Sequence, residues 1–219
     1  MAIIMKKIII CGLGSIGRRH FRIIKGYLPK IKIGIIRSGK GEINKESLTS
    51  DEKFKNFEEA ISWGAEAAII SSPATLHFEH SEELAKNNIP LLIEKPLDSD
   101  YADLNRWEEL RTKHNFLNVL IGYVLRHDPA LIQIKKYLKS NKIGDLINVQ
   151  MINGSWLPSW RSNRNYKKTV SALKTLGGGI LLEQSHDINL ASDLFGELSI
   201  KNAICKNSQI LDLDVEDSA

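Results

Sequence analysis

Short runs rich in isoleucine and leucine alternate with longer mixed segments through the first 123 residues. Lys7–Cys11, 31–36, Ala67–Ile70, 90–93 and 117–123 each carry consecutive aliphatic positions, the pattern of a strand covered on both faces. Between them Ser15–Tyr27, 58–63, 76–87 and 101–114 read as helices, and 39–53 as a polar loop. Regular alternation of strand and helix predicts an α/β domain, with a doubly wound parallel sheet and helices on both faces.

After Tyr123 the rhythm changes. Residues 129–138 form an amphipathic helical pattern, 146–154 a longer strand, and the stretch that follows is irregular and rich in Trp, Arg, Asn and Lys. Gly177–Gly179 precede an apolar helix through Leu194, and 198–206 read as another strand. Residues 1–123 and 124–219 are therefore expected to be separate domains, the second α+β with an open, mostly antiparallel sheet. That sheet looks incomplete, because a further strand begins at 215–219 and too few strands are present to close one. The expectation is a C-terminally truncated chain, or a sheet completed by something else.

Composition changes this picture little. Hydrophobic residues make up 42% and charged residues 26%, as in a core-forming protein, and a net charge of +4 is too slight for a nucleic-acid footprint. The opening apolar run is followed by its lysines and a glycine turn, unlike a secretory leader, and no run is long enough for a membrane span. Cys11 and Cys205 form no metal or redox spacing. The expectation is a cytoplasmic protein with no metal, no nucleic-acid partner and no membrane contact.

Gly12-Leu13-Gly14-Ser15-Ile16-Gly17 fits G-x-G-x-x-G directly after a buried strand and at the start of a helix, the context of a Rossmann dinucleotide site. Gly12 allows the tight turn, Gly14 lets backbone approach a pyrophosphate, and Gly17 lets helix and strand pack closely. Ser15 and Ile16 bring N–H groups to the same phosphates. The second strand ends in Arg37-Ser38, with Lys40 near and no acid before Glu42. A guanidinium there suits a 2′-phosphate, so NADP is favoured over NAD. Ser71-Ser72-Pro73 and Glu94-Lys95-Pro96 end the third and fourth strands, at the carboxyl edge where such sheets bind ligands. Lys95 can steady a developing alkoxide there. His186, three residues after Glu183, can take a hydroxyl proton, and the triple glycine before it is read as letting backbone pass close to a ligand.

These pieces, in this order, resemble the Gfo/Idh/MocA oxidoreductases, the relatives of glucose–fructose oxidoreductase and inositol dehydrogenase. The resemblance also takes in Gly122-Tyr123 through Arg126 and Pro129, and Ile143-Gly144. It implies hydride transfer between NAD(P) and a sugar, sugar-nucleotide or cyclitol hydroxyl. Lys95 and His186 would act at the reacting carbon, with Glu183 in place of the usual aspartate. Ser72, Pro73, His77 and Glu94 would line the nicotinamide side. Trp156, Trp160, Arg161 and Lys174 resemble a subgroup linked to surface-polysaccharide sugars, and with Arg126 would meet an anionic or nucleotide-linked sugar. The resemblance further implies a homo-oligomer in full-length form. Two other functions fit the same residues: a non-catalytic nucleotide-binding fragment, and an epimerase or eliminase that uses NAD transiently.

Overall fold

Among the described residues, six parallel strands form one sheet in the order β3-β2-β1-β4-β5-β6. They are β1 (Lys7–Cys11), β2 (Lys32–Ile36), β3 (Glu52–Phe54), β4 (Ala67–Ile70), β5 (Leu91–Ile93) and β6 (Val119–Ile121). The structure is a computed structural model and describes residues 5–39, 43–100, 104–114, 118–160 and 165–219. It divides into two units, Met1–Gly122 and Tyr123–Ala219.

The period-2 geometry of a strand explains how one isoleucine run serves two cores. Ile9 and Cys11 face one side with Ile36, Ala68, Ile70, Leu91 and Ile93. Ile8 and Ile10 face the other with Ile33, Ile35 and Ile69. α1 (Ser15–Tyr27) closes the second side through Phe21. α3 (Phe57–Ser62), α4 (His77–Ala85) and α5 (Leu104–Lys113) close the first through Ala60, Phe78, Leu84, Trp107 and Leu110. Each of these isoleucine, leucine and phenylalanine side chains taken from water contributes roughly 1.5–3 kcal/mol. The doubly wound α/β sheet is thus the fold of the first unit.

The expected polar loop at 39–53 holds two short elements. α2 (Lys45–Thr49) starts at Asn44, whose Oδ1 accepts from Ser47 N at 2.9 Å. β3 then pairs with β2, and its Phe54 ring lies so close to Gly34 that a Cβ there would meet it at 2.4 Å. Sequence order reverses between β1 and β4, which pair from Ile8↔Ala67 to Cys11↔Ile70. This switch point opens the crevice where ligands bind in such sheets.

In the second unit, α6 (Pro129–Lys139) begins at Asp128, whose Oδ1 accepts from the N–H groups of Ala130 and Leu131, with proline in the first turn. α7 (Ile180–Glu183) and α8 (Ser185–Phe195) follow the triple glycine. The sheet expected after Tyr123 is the main difference from the sequence reading. Residues 145–156 and 198–205 form neither helix nor ladder, and among the described residues of this unit the antiparallel bridge Lys206↔Ser218 is the one pairing that forms. A strand needs a neighbour to take its backbone hydrogen bonds, and neither segment has one among the described residues. Ile147, Ile152 and Ile200 consequently stand 95%, 84% and 82% exposed.

Candidate active site

The first unit gathers its candidate site residues at the carboxyl edge of β1, β4 and β5. Gly12 N donates to Ile36 O, and Gly12 has φ +90. A Cβ on Gly12 would lie 2.7 Å from Ser71 O, and one on Gly17 would lie 2.1 Å from Gly12 O. Both positions must be glycine for internal reasons. Gly14 differs: it is exposed, and a Cβ there would meet nothing within 4 Å. Its bare backbone, at the N-terminus of the 13-residue α1 with no acid in the first turn, faces open space. A pyrophosphate fits such a cradle. Ser15 is exposed and Ile16 half-buried beside it.

The serines that follow β4 lock this turn. Ser71 Oγ reaches Cys11 O at 3.0 Å and Gly12 O at 2.8 Å. Ser72 O lies 3.0 Å from His77 Nε2, and Pro96 O lies 2.9 Å from His77 Nδ1. His77 therefore spans the two loops that carry Ser72-Pro73 and Glu94-Lys95-Pro96. Both partners are carbonyls, so a neutral ring donates to only one of them. Burial pushes His77 below the ordinary histidine range, opposed by the carbonyls of Ser72, Pro96 and Leu97. His80, whose Nδ1 lies 3.0 Å from Ser72 Oγ, is also lowered, by burial and then by His77. Burial likewise pushes the Cys11 thiol far up, leaving it inert.

Glu94 is buried, and its Oε1 lies 2.6 Å from His20 Nε2 on α1. Sequence reasoning missed His20; its signal was the spacing of three from Gly17, which places both on one helix face. Lys95 is half-buried at the same edge. After β2, Arg37 Nη1 donates to Ser47 Oγ at 3.0 Å, while Ser38 is exposed. The acid Glu46 accepts from Arg22. Lys40 and Glu42 lie outside the described residues.

In the second unit His186 packs edge-on against Tyr123, with ring centroids 5.7 Å apart. Glu183 and His186 do not share one helix as expected: α7 ends at Glu183 and α8 starts at Ser185, because the backbone leaves helical geometry at Gln184. Glu183 Oε1 accepts from Ser171 Oγ at 2.9 Å. The triple glycine also has a different reason from the one expected. A Cβ on Gly178 would sit 2.4 Å from Val170 O, and one on Gly179 (φ +113) 2.4 Å from Glu216 Oε1. These glycines admit the chain's own atoms. Glu216 takes the helix's first amides, Ile180 N onto its carbonyl at 3.0 Å and Leu181 N onto its carboxylate at 3.2 Å.

A cavity of about 210 Å³ in this unit is lined by Trp156, Trp160, Ile180, Glu183, Glu216 and Asp217, among others. Of the other expected substrate residues, Arg126 donates through Nε to Asn189 Oδ1 at 2.8 Å. Lys174 is exposed, outside the cavity wall, with its amide on Asp214. Arg161 lies outside the described residues. Among the described residues no cluster of metal-ligand type occurs, and no helix is long and apolar enough to cross a membrane.

Comparison with known proteins gives a consistent result. The chain is 26% identical over 155 residues to Oxidoreductase P35 of Formosa agariphila, covering 68% of this chain and 47% of that protein. It is 25% identical over 142 residues to an inositol 2-dehydrogenase of Corynebacterium glutamicum, covering 63% and 42%. The fold matches the scyllo-inositol dehydrogenase of Lactobacillus casei solved with NAD(H) and scyllo-inositol. That match has a TM-score of 0.69 at 22% identity, over 88% of this chain and 56% of that one. The chain spans about half the length of the curated relatives it matches. Residues 6–123 match the model of the GFO_IDH_MocA oxidoreductase family, with its NAD-binding Rossmann fold, and the chain belongs to that family.

Proposed function

We propose that this chain carries the cofactor site and catalytic side chains of an NAD(P)-dependent dehydrogenase acting on a hydroxyl of a polyol ring. The observation that carries the reading is the open backbone of Gly14 at the head of α1, on the unit whose β5 leads directly into Glu94-Lys95-Pro96. Gly12, Gly14 and Gly17 with the amides of Ser15 and Ile16 hold the pyrophosphate. Arg37 and Ser38 meet the adenosine ribose, where the guanidinium favours a 2′-phosphate and hence NADP. Ser71, Ser72, Pro73, His77 and Glu94 shape the nicotinamide side. A nicotinamide cofactor, when bound there, would supply the hydride acceptor or donor.

The protein's own groups handle the proton and the charge. His186 takes the hydroxyl proton on an imidazole nitrogen, and the Lys95 ammonium steadies the alkoxide as the C–H bond breaks. Glu183 helps hold the substrate near His186. The cavity of the second unit, where two indoles stand with the carboxylates of Glu183, Glu216 and Asp217, supports a ring that has apolar faces and hydroxyls. Apolar ring faces stack on tryptophan and hydroxyls donate to carboxylates. Such a lining suits a cyclitol or a sugar ring.

Lys95→Met tests the reading. Turnover of a cyclitol such as myo-inositol should fall by about 10²–10⁴-fold, while NAD(P)H binding followed by fluorescence stays within a factor of about three. Unchanged turnover removes Lys95 from the mechanism.

A further inference from the structure

The buried carboxylate of Glu94 meets a partner that lies far from it in sequence. Its Oε1 lies 2.6 Å from His20 Nε2, across 74 residues of sequence, and both side chains are largely withdrawn from solvent, 18% exposed for His20 and 10% for Glu94. A carboxylate only accepts, so the imidazole N–H donates. A Cβ on Gly122 would come within 3.0–3.2 Å of the same carboxylate. Glycine at 122 thus leaves the space that the carboxylate fills. The backbone is tied as well, with Glu94 N on Ile70 O at 2.9 Å and Gly122 N on Ile93 O at 2.7 Å. The carboxylate can turn in few directions.

The two ends of this bond belong to different parts of the crevice. His20 stands one helical turn after Gly17, on the face of α1 that presses against Gly12 and Ser71. Glu94 is the residue before Lys95. A shift of α1 along its axis therefore pulls on Glu94, and a shift of the 94–96 loop pushes on α1. Hydrogen bonds to a charged group are among the stronger ones, and a buried carboxylate that loses its donor has to find water or move.

We propose that His20 is a positioning residue which, through Glu94, couples the phosphate-binding helix to the loop that presents Lys95. This rests on the dehydrogenase reading above. The coupling gives a cofactor held at the head of α1 a mechanical route to the lysine, with no direct contact between them.

The test uses His20→Leu, which deletes the donor, His20→Gln, which keeps one, and Glu94→Gln, each compared with the wild-type chain. NADH titrated by fluorescence should bind about tenfold more weakly to the leucine variant. The glutamine variant should stay within about threefold of wild type. The double variant His20→Leu/Glu94→Gln should bind no worse than His20→Leu alone. In cofactor-free protein, the His20 imidazole N–H resonance should be visible by NMR and should move on Glu94→Gln. Equal affinities of the leucine and glutamine variants, or additive losses in the double variant, overturn the proposal. Failure of the wild type to bind either NADH or NADPH sinks the dehydrogenase reading instead. The NMR signature then decides the pair alone: a His20 resonance that ignores Glu94→Gln ends the proposal.

Discussion

The two units contain similar residues and treat them oppositely. In the first, Ile9, Ile10 and Ile33 are wholly buried; in the second, Ile147 and Ile152 stand almost fully in solvent. The difference is not hydrophobicity but pairing. Each inner strand of the first unit has neighbours on both sides within 122 residues, so its backbone closes a ladder and its two faces are covered by helices. Residues 145–156 and 198–205 also carry aliphatic side chains but have no described neighbour. Apolar alternation specifies which face a strand would bury, but not that a partner strand is there to receive it.

The glycines offer the largest test of this contrast, because some serve packing and one faces outwards. Gly17→Ala drives a Cβ into Gly12 O and should cost more than about 3 kcal/mol in a urea melt. Gly14→Ala should cost less than about 1 kcal/mol, yet weaken NADH binding more than tenfold. Equal effects on stability would erase the distinction between a packing glycine and a ligand-facing one. A middle-sized effect concerns pH. His77 and His80 are held below their ordinary value by burial, so the folded state favours their neutral forms. Their contribution is full above the unfolded value of about 6.5 and is lost as pH falls through the lowered folded values. Melting temperature should therefore drop between pH 7.5 and 5.5, ahead of carboxylate titration; a flat profile over that range would contradict the buried, neutral assignment. The smallest effect is expected where exposure is greatest. Ile152→Glu should leave stability within about 0.5 kcal/mol, and a clear loss would mean that the segment is covered in solution.

Much of the first unit was legible because its signals are local. A buried run, a glycine fingerprint and a helix follow within 21 residues, Lys7 to Tyr27, and the Asp128-Pro129 start of α6 is equally short-range. What escaped was short or remote. α2 and β3 are five and three residues long, too brief for periodicity, although Asn44 as a cap with Glu46 in the first turn was a usable signal. The reason for Gly179 lay at Glu216 and the partner of Glu94 at His20, contacts that no sequence window spans. The roles of Lys95 and His186 came from motif order and resemblance, since neither residue type is unusual on a surface. Lys95 belongs to the first unit and His186 to the second.

The anchoring of α7 by Glu216 has a consequence for synthesis. The ribosome releases a chain from its N-terminus at roughly 5–20 residues per second. The sheet of the first unit can close once β6 has emerged at Ile121. The amides of Ile180 and Leu181 must wait for residue 216. That interval is on the order of 5–20 s at those rates, so the nascent chain holds a closed first sheet for seconds before α7 has anything to rest on.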